Sequence, residues 1–413
     1  MKYGLIGRSL SHSRSKEIHA LLGNDDYELV ELEPDELEGF FRRADFCGIN
    51  VTIPYKEAAM RFCEPDEAAR KIGCVNVVIN DKGKLRGSNT DYYGFSYMAR
   101  EAGIFFAGKK VAVLGSGGAS KTAASVARDE GARDVAIISR EGRERHGDLS
   151  SYRDAEILVN ATPVGMFPKD SGQPVSLDDF PCLGAVMDVI YNPLNTSLIQ
   201  SAVERGLKTA TGLSMLVAQA ARAHELFFDI ARKAGARDDD GTTRALSQAR
   251  RLFTGIALIG MPGCGKTTAG MELAKILGKN FIDTDLLAEE LTGKKPGEII
   301  AEKGEPFFRE IERKAVALAA AKQGAVIATG GGAALFKENM DALRRNCAIY
   351  FLDCADSDLA RHGRPLSANL SALRAQRQGL YESACHRKHW RAGGGIEETA
   401  RALAELFDGD FPA

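Results

Sequence analysis

The sequence predicts an α/β protein of several domains, and three observations lead to that fold class. Strand-like apolar runs alternate with helix-like stretches along almost the whole chain, as in proteins built from layers of helices on sheets. Three of these runs, 110–114, 255–259 and 325–329, lead directly into glycine-rich turns, the kind of turn that binds phosphate at a helix start. The 413 residues give room for two or three domains at roughly 150 residues each.

Composition and charge limit the class of protein. Hydrophobic residues make up 44% of the chain, charged residues 27%, and the net charge is −2, values usual for a globular protein in water. Nucleic-acid-binding proteins favour basic patches, so this net charge gives no electrostatic case for binding nucleic acid. No apolar run approaches the roughly 18 residues of a membrane span. Residues 1–7 predict a strand rather than a secretory segment, and the eight cysteines form no Cys-x-x-Cys pair, as expected of reduced thiols. We therefore expect a cytoplasmic protein that binds neither nucleic acid nor membrane, and the charge balance does not exclude anionic small substrates.

The predicted domain boundaries follow changes in composition. A polar, charged segment at 235–252 reads as a linker, although its later half could equally form a short helix. Before it we predict an α/β substrate-binding domain at 1–102, completed by helices at about 211–234, and a Rossmann domain at 103–210. After it we predict a P-loop domain with a parallel sheet at 253–413.

The first glycine-rich turn predicts a dinucleotide site. Gly115-x-Gly117-Gly118 follows a strand and precedes a helix of small residues, so the backbone can approach a pyrophosphate at the helix start. Ser120 stands at the third fingerprint position, where Gly or Ala is usual, and a tight turn without a ligand is an equal alternative. Ser139 and Arg140 end the next strand, where an arginine favours the 2′-phosphate of NADP over the ribose hydroxyl of NAD. The alternative for Arg140 is a solvated surface side chain.

Polar residues near the N-terminus form a second pattern. The strand at 48–51 runs into Thr52 and Lys56, and Asn89-Thr90-Asp91 follows later. Each of these residues alone is ordinary on a surface or in a turn. A lysine beside an aspartate can, however, give a proton to the oxygen of a ketone that receives hydride.

Together these motifs resemble the shikimate dehydrogenase family over residues 1 to about 232. The motifs, in the family's order, are Ser13-x-Ser15, Asn50-Val51-Thr52-x-Pro54-x-Lys56, Asn76, Asn89-Thr90-Asp91, Gly115-x-Gly117-Gly118-Ala119, Asn160-Ala161-Thr162-Pro163-x-Gly165-Met166, Asp188-x-Ile190-Tyr191-Asn192-Pro193 and Gly212-Leu213-x-Met215-Leu216-x-x-Gln219. The departures are Tyr92, where a small residue is usual, and Glu144, where the family often has a second phosphate-binding arginine.

The resemblance implies roles for individual residues. Lys56 and Asp91 would form the catalytic pair. The substrate would be held by Ser13, Ser15, Thr52, Asn76, Tyr191 and Gln219. The NADPH site would comprise Gly115, Gly117, Gly118, Ala119, Ser139, Arg140, Thr162 and Gly212.

The second glycine-rich turn, Gly260-x-x-x-x-Gly265-Lys266-Thr267, is a full Walker A match after a strand. Such a loop cradles phosphates with its backbone amides, its lysine reaches the terminal phosphates, and its hydroxyl ligates Mg²⁺. The predicted ATP-binding residues are Gly263, Cys264, Gly265, Lys266, Thr267 and Thr268.

Together with the Walker loop, the later motifs of the chain resemble the shikimate kinase family over about 253–410. These motifs, in order, are Asp283-Thr284-Asp285, Phe308-Arg309-x-x-Glu312, Gly330-Gly331-Gly332, Arg364-Pro365-Leu366 and Arg377-x-x-x-Tyr381. By this resemblance Asp283 and Thr267 support Mg²⁺, Asp285 contacts the attacking hydroxyl, and Lys266 and Arg364 act on the phosphates. Substrate contacts would come from Arg309, Gly331, Gly332 and Arg377, with both arginines on the carboxylate. The departure is a stretch at 365–376 that is shorter than the family's usual lid.

The two resemblances predict one bifunctional enzyme that makes shikimate with NADPH and then phosphorylates it with ATP and Mg²⁺. Two alternatives stay open from the sequence. One is a quinate-type dehydrogenase fused to the kinase, against which Ser15 in place of threonine argues. The other is a regulator that binds shikimate and nucleotides without turnover, and the intact Lys56, Asp91, Lys266 and Asp285 argue against it.

Overall fold

The computed structural model describes residues 1–139, 149–168, 172–228, 239–359, 370–391 and 395–412. These residues form two compact units, one of Met1–Asn192 with Ser201–Ala249 and one of Pro193–Gln200 with Arg250–Ala413. Strands and helices alternate in both units, which confirms the predicted α/β class.

The first unit contains two sheets. Its strands are β1 (Tyr3–Gly7), β2 (Tyr27–Glu31), β3 (Gly48–Val51), β4 (Glu64–Pro65), β5 (Val77–Asp81), β6 (Lys84–Ser88), β7 (Lys110–Leu114), β8 (Asp134–Ile138), β9 (Ile157–Asn160), β10 (Ala185–Asp188) and β11 (Lys208–Thr211). Its helices are α1 (Ser15–Leu21), α2 (Leu37–Arg43), α3 (Glu67–Ile72), α4 (Asp91–Glu101), α5 (Gly118–Asp129), α6 (Ser197–Glu204), which straddles the division between the units, and α7 (Gly212–Phe227).

The first sheet is mixed, with the order β2-β1-β3-β5-β6-β4, and the second has the order β11-β10-β9-β7-β8 with all its pairs parallel. In the second sheet β7 lies between β8 and β9, so the strand order reverses beside it. Ligands of open parallel sheets bind at the carboxyl end of such a reversal. The residues from Val111 to Leu114 are fully buried, as expected for a parallel strand covered on both faces.

The second unit has a single parallel sheet with the order β13-β14-β12-β15-β16. Its strands are β12 (Gly255–Ile259), β13 (Phe281–Asp283), β14 (Val326–Ala328), β15 (Cys347–Cys354) and β16 (Arg387–Arg391). Its helices are α9 (Lys266–Leu277), α10 (Thr284–Thr292), α11 (Pro296–Lys303), α12 (Glu305–Ala320), α13 (Lys337–Arg344), α14 (Leu370–Ala384) and α15 (Ile396–Asp410). The central strand β12 ends at the Walker loop, so this loop also lies at a reversal of strand order.

The segment predicted as a linker contains a helix, α8 (Asp239–Phe253). The sequence left this possibility open for the later half of the segment. Residues 229–238 lie outside the described ranges, and the predicted domain boundaries stay predictions. Within the part of the chain that the structure describes, no helix is both long and apolar enough to cross a membrane.

Candidate active sites

The first unit contains a cavity of about 1360 Å³. It is lined by residues at or just after the carboxyl ends of β3, β7 and β10. The predicted site residues that line it are Ser13, Ser15, Thr52, Lys56, Asn76, Asp91, Gly115, Gly117, Gly118, Ala119, Ser139, Thr162, Tyr191, Gly212 and Gln219. The fold therefore brings the predicted substrate, catalytic and dinucleotide residues of this unit to one cavity. The exception is Arg140, which lies outside the described residues, as does Glu144.

Lys56 and Asp91 form an ion pair at this cavity. The Nζ atom of Lys56 donates to Oδ2 of Asp91 at 2.5 Å, and their side chains are 25% and 10% exposed. Asp91 is the first residue of α4, and its amide donates to Oδ1 of Asn89 at 3.1 Å. The second carboxylate oxygen of Asp91 accepts a hydrogen bond from Nδ2 of Asn76 at 2.9 Å. The aspartate is therefore fixed from both sides and holds the lysine at the edge of the cavity.

Asn76 joins several elements around this pair. It is 2% exposed, and its Oδ1 accepts from the amide of Thr90 at 2.7 Å. Its Nδ2 also lies 3.4 Å from Oε1 of Gln219, on α7. The sequence predicted Asn76 as a substrate residue, and the structure adds an orienting contact with Asp91.

Hydroxyl groups lie elsewhere along the same cavity. The Oγ atoms of Ser13 and Ser15 are 3.2 Å apart, just before and at the start of α1. Tyr191 follows β10, and burial raises the pKa of its hydroxyl, so it stays a neutral hydrogen-bond donor. These groups can bind the hydroxyls and carboxylate of a small polar acid.

The turn after β7 has the shape that a pyrophosphate needs. Gly115 has a φ of +125°, and a Cβ atom there would lie 2.7 Å from the carbonyl oxygen of Ala161. Both constraints restrict this position to glycine. A Cβ at Gly117 would meet nothing within 4 Å, so the turn is open on that side, and α5 begins at Gly118. The residues present therefore fit a dinucleotide bound at the helix start.

In the second unit, the Walker loop connects β12 to α9. Lys266 is 7% exposed, and its Nζ donates to the carbonyl oxygens of Gly260 and Met261, each at 2.9 Å. Its Nζ also lies 3.7 Å from Sγ of the buried Cys264. The Oγ1 of Thr268 donates to the carbonyl of Gly265 at 3.0 Å.

Thr267 and Asp283 meet beside this loop. The Oγ1 of Thr267 donates to Oδ2 of Asp283 at 2.7 Å. The other carboxylate oxygen of Asp283 caps α10 by accepting from the amide of Asp285 at 2.8 Å. A hydroxyl and a carboxylate suit Mg²⁺, which usually takes one or two protein ligands together with substrate phosphates. The described residues contain no group of three His, Cys, Asp or Glu able to hold a metal, and a site shared with phosphates needs none.

Arg309 is held by two carboxylates of its own helix, α12. Its Nη1 lies 2.8 Å from Glu312 and its Nη2 lies 2.6 Å from Glu305. Burial raises the pKa of Glu312, although Arg309 opposes this shift. A Cβ at Gly332 would lie 2.1 Å from Nη1 of Arg309, and one at Gly330 would lie 2.8 Å from Oδ1 of Asp285. The glycine run therefore lets Arg309 and Asp285 approach the end of β14.

Arg377, on α14, approaches the same glycine run. It is 5% exposed, and its Nη1 donates to the carbonyl of Gly331 at 3.0 Å. The hydroxyl of Tyr381, one turn later, donates to the same carbonyl at 2.5 Å. The sequence motifs contain Tyr381 and Glu312 but assign neither a role, although each stands one helical turn from an arginine, a spacing that could have indicated both. Arg364 lies outside the described residues, as does the first part of the predicted lid.

The two sites define the class of protein. A lysine–aspartate pair beside a dinucleotide turn is the site of a nicotinamide-dependent oxidoreductase. A Walker loop beside a hydroxyl–carboxylate pair and two buried arginines is the site of a P-loop phosphotransferase for an acidic substrate.

Comparisons with known proteins identify the families. Residues 5–78 match the family model described as "Shikimate dehydrogenase substrate binding domain", and residues 262–404 match the one described as "Shikimate kinase". A shikimate dehydrogenase (NADP(+)) from Clostridium beijerinckii is 35% identical over 245 residues, which are 54% of this chain and 91% of the relative. The corresponding protein from Geobacillus kaustophilus is 38% identical over 250 residues, again 54% of this chain and 91% of the relative.

Comparison with solved structures also finds shikimate dehydrogenases. A chorismate mutase/shikimate 5-dehydrogenase fusion protein from Clostridium acetobutylicum superposes with a TM-score of 0.55 at 33% identity, covering 60% of this chain and 96% of that one. A shikimate 5-dehydrogenase from Thermus thermophilus, solved with NADP(H) and shikimate, gives a TM-score of 0.53 at 32% identity, covering 60% and 99%.

The chain therefore belongs to the shikimate dehydrogenase family and carries a shikimate kinase domain in its C-terminal third. The predicted bifunctional enzyme of the shikimate pathway, with NADP and ATP as its nucleotides, is confirmed. The roles of the individual site residues stay predictions.

Proposed function

We propose that the first unit reduces 3-dehydroshikimate to shikimate with NADPH and that the second transfers the γ-phosphate of ATP to shikimate. The observation that carries the reductase proposal is the Lys56–Asp91 ion pair in a cavity shared with the glycine turn. The observation that carries the kinase proposal is the approach of Arg309, Arg377 and Asp285 to one glycine run near the Walker loop.

In the reductase, Lys56 is the proton donor to the ketone oxygen. A bound nicotinamide would supply hydride to the carbonyl carbon, and Lys56 would give a proton from its Nζ to the oxygen of the former ketone. Asp91 accepts a hydrogen bond from the same Nζ at 2.5 Å, so it orients the ammonium group. Asn76 keeps Asp91 in place through the contact at its second oxygen. The lysine regains its proton from solvent after the product leaves.

The hydroxyl groups along the cavity bind the rest of the substrate. Ser13, Ser15 and Tyr191 contact its carboxylate and ring hydroxyls, and Thr52, Asn76 and Gln219 contribute from the other elements of the cavity. A site built from hydroxyl and amide groups discriminates against substrates that lack matching groups, because its own polar groups would then be left without partners.

In the kinase, the chain's own residues mainly position and neutralise charge. Arg309 and Arg377 bind the carboxylate of shikimate. Asp285 accepts a hydrogen bond from the hydroxyl that attacks the γ-phosphate and takes its proton as the new P–O bond forms and ADP leaves. Thr267 and Asp283 would hold Mg²⁺, which neutralises phosphate charge when bound, and Lys266 turns from the loop carbonyls to the phosphates.

The cytoplasmic location predicted from the sequence is part of this proposal. All eight cysteines are free thiols, which suits a reducing compartment.

The test uses two variants that serve as controls for each other. Lys56→Ala should lower the reductase kcat by about 10²- to 10⁴-fold, the usual contribution of a positioned acid–base group, with the kinase rate unchanged. Lys266→Ala should abolish kinase activity with the reductase rate unchanged. Reductase activity is followed by NADPH consumption with 3-dehydroshikimate, and kinase activity by shikimate-dependent ADP release.

Three outcomes would contradict the proposal. An unchanged reductase kcat in Lys56→Ala would remove this lysine from the mechanism. Faster turnover of quinate than of shikimate in the oxidative direction would favour the quinate-type alternative. Binding of shikimate and nucleotides by the wild-type chain without turnover would favour the regulator.

A further inference from the structure

Arg391 has no role in either proposed reaction, and it stands against the Walker loop. It is the last residue of β16 and pairs with Cys354, the last residue of β15. All strands of this sheet are parallel, so Arg391 lies at the carboxyl edge from which the Walker loop leaves β12. Gly265, directly before Lys266, is its neighbour there: a Cβ at Gly265 would lie 3.1 Å from Nη1 of Arg391.

The guanidinium group of Arg391 has hydrogen-bond partners for only some of its N–H donors among the described residues. Its Nη2 donates to the carbonyl oxygen of Asp358 at 3.2 Å. Its Nε is buried and has no hydrogen-bond partner among the described residues. No carboxylate of the described part of the chain forms a salt bridge with it, in contrast to Arg374 and Arg387, which pair with Asp353 and Asp410. A cation that stands at a partly buried position without an acidic partner costs free energy unless an anion meets it.

The position of Arg391 beside the Walker loop indicates which kind of anion would bind it. The backbone amides of a Walker loop and the start of the following helix bind the phosphates of a nucleotide. The guanidinium lies beside that loop at Gly265, the residue directly before α9. It has five N–H donors in a planar fork, and one contact to a carbonyl oxygen leaves others for phosphate oxygens.

We propose that Arg391 binds the phosphates of the nucleotide at the Walker loop, as a cation additional to Lys266. The proposal rests on the kinase function proposed for the second unit. Arg391 contacts phosphate directly and does not contact shikimate, whose carboxylate belongs to Arg309 and Arg377. Its effect is therefore confined to nucleotide affinity and to the rate of phosphoryl transfer.

The test compares Arg391→Ala with Arg387→Ala in the full chain. Both positions are on the same strand, but Arg387 pairs with Asp410, and Asp410 is the last residue of α15. ADP and shikimate binding are each measured by calorimetry. Arg391→Ala should weaken ADP binding by about 10- to 100-fold, the loss expected when a charge-assisted hydrogen bond is removed. Shikimate binding should stay within about twofold of wild type, and Arg387→Ala should bind both ligands as wild type does.

Arg391→Lys keeps the charge and loses the planar fork, so its ADP affinity should fall between those of the wild type and Arg391→Ala. This variant also tests the proposal if the alanine chain does not fold. Wild-type ADP affinity in Arg391→Ala, or an equal loss of ADP and shikimate affinity, would overturn the proposal and make Arg391 a support of the loop through Asp358. A wild-type chain that binds ADP but does not phosphorylate shikimate would defeat the kinase function, and ADP binding would still decide the role of Arg391.

Discussion

Arg309 and Arg377 have the same predicted role and different surroundings. Arg309 is held by Glu305 and Glu312, and Glu312 is 1% exposed. Arg377 donates to a backbone carbonyl and, among the described residues, forms no salt bridge. Removal of Arg309 therefore leaves a buried carboxylate without its cation, whereas removal of Arg377 does not.

We expect Arg309→Ala and Arg377→Ala each to raise the KM for shikimate by about 10- to 100-fold, since each loses a charge-assisted contact to carboxylate. The KM for ATP should change little. Only Arg309→Ala should also destabilise the second unit, by roughly 3–5 kcal/mol, because it breaks a buried ion pair. Urea unfolding followed by fluorescence of Trp390, the single tryptophan of the chain, measures this difference. A larger rise in the KM for ATP than for shikimate would show that the arginines do not bind the carboxylate.

At the scale of elements, the C-terminal end of α8 is capped by a lysine from a distant part of the chain. The Nζ of Lys279, which follows α9, donates to the carbonyl oxygens of Arg251, Leu252 and Thr254 at 2.7, 3.1 and 3.1 Å. These carbonyls belong to the last turn of α8 and the residue after it, where a helix lacks internal donors and favours a cation.

Lys279→Met should lower the free energy of unfolding of the second unit by about 1–3 kcal/mol, the cost of leaving such acceptors without donors. Lys275→Met is the matched control, because Lys275 is in α9, its side chain is 70% exposed, and its one salt bridge among the described residues is with the nearby Glu272. Trp390 fluorescence during urea unfolding measures the free energy of unfolding of both variants. Equal midpoints for the two variants would show that the three hydrogen bonds add nothing to stability.

The same lysine gives the stability a pH dependence. Burial, with a smaller contribution from Arg251, lowers the pKa of Lys279 to about 8, whereas an unfolded lysine titrates near 10.4. Between these values the unfolded chain binds more protons than the folded one, so the stability of the wild type should rise with pH. Relative to Lys279→Met, the wild type should gain stability from about pH 8 to pH 10.4. A difference that stays constant across this window would contradict the lowered pKa.

At the scale of the whole molecule, each unit carries its own complete set of predicted residues, apart from those outside the described ranges. Shikimate is small and is not covalently carried, so we expect it to equilibrate with solvent between the two sites. A mixture of Lys56→Ala and Lys266→Ala chains should then show the same lag before shikimate 3-phosphate forms as the wild type does. The comparison is made at equal concentrations of each working site. A clearly shorter lag in the wild type would demonstrate direct transfer.

The sequence by itself determined the fold class, both families and most residues around the two sites. It could do so because glycine turns after strands, the Walker pattern and ordered polar motifs are local features, set by backbone chemistry within a few residues. Thus Gly115 is required by its own φ of +125°, and the capping of α10 by Asp283 spans two or three residues.

Only the tertiary structure decided how distant residues share a site. Asn76 meets Asp91 and Gln219, and Arg391 meets Gly265, across separations in the chain that no local pattern records. Arg391 and Lys279 belong to no sequence motif, and from the sequence alone each would be interpreted as an ordinary exposed cation. Their positions follow from strand order and helix packing, because parallel strands bring their carboxyl ends to one edge of a sheet whatever their order in the chain.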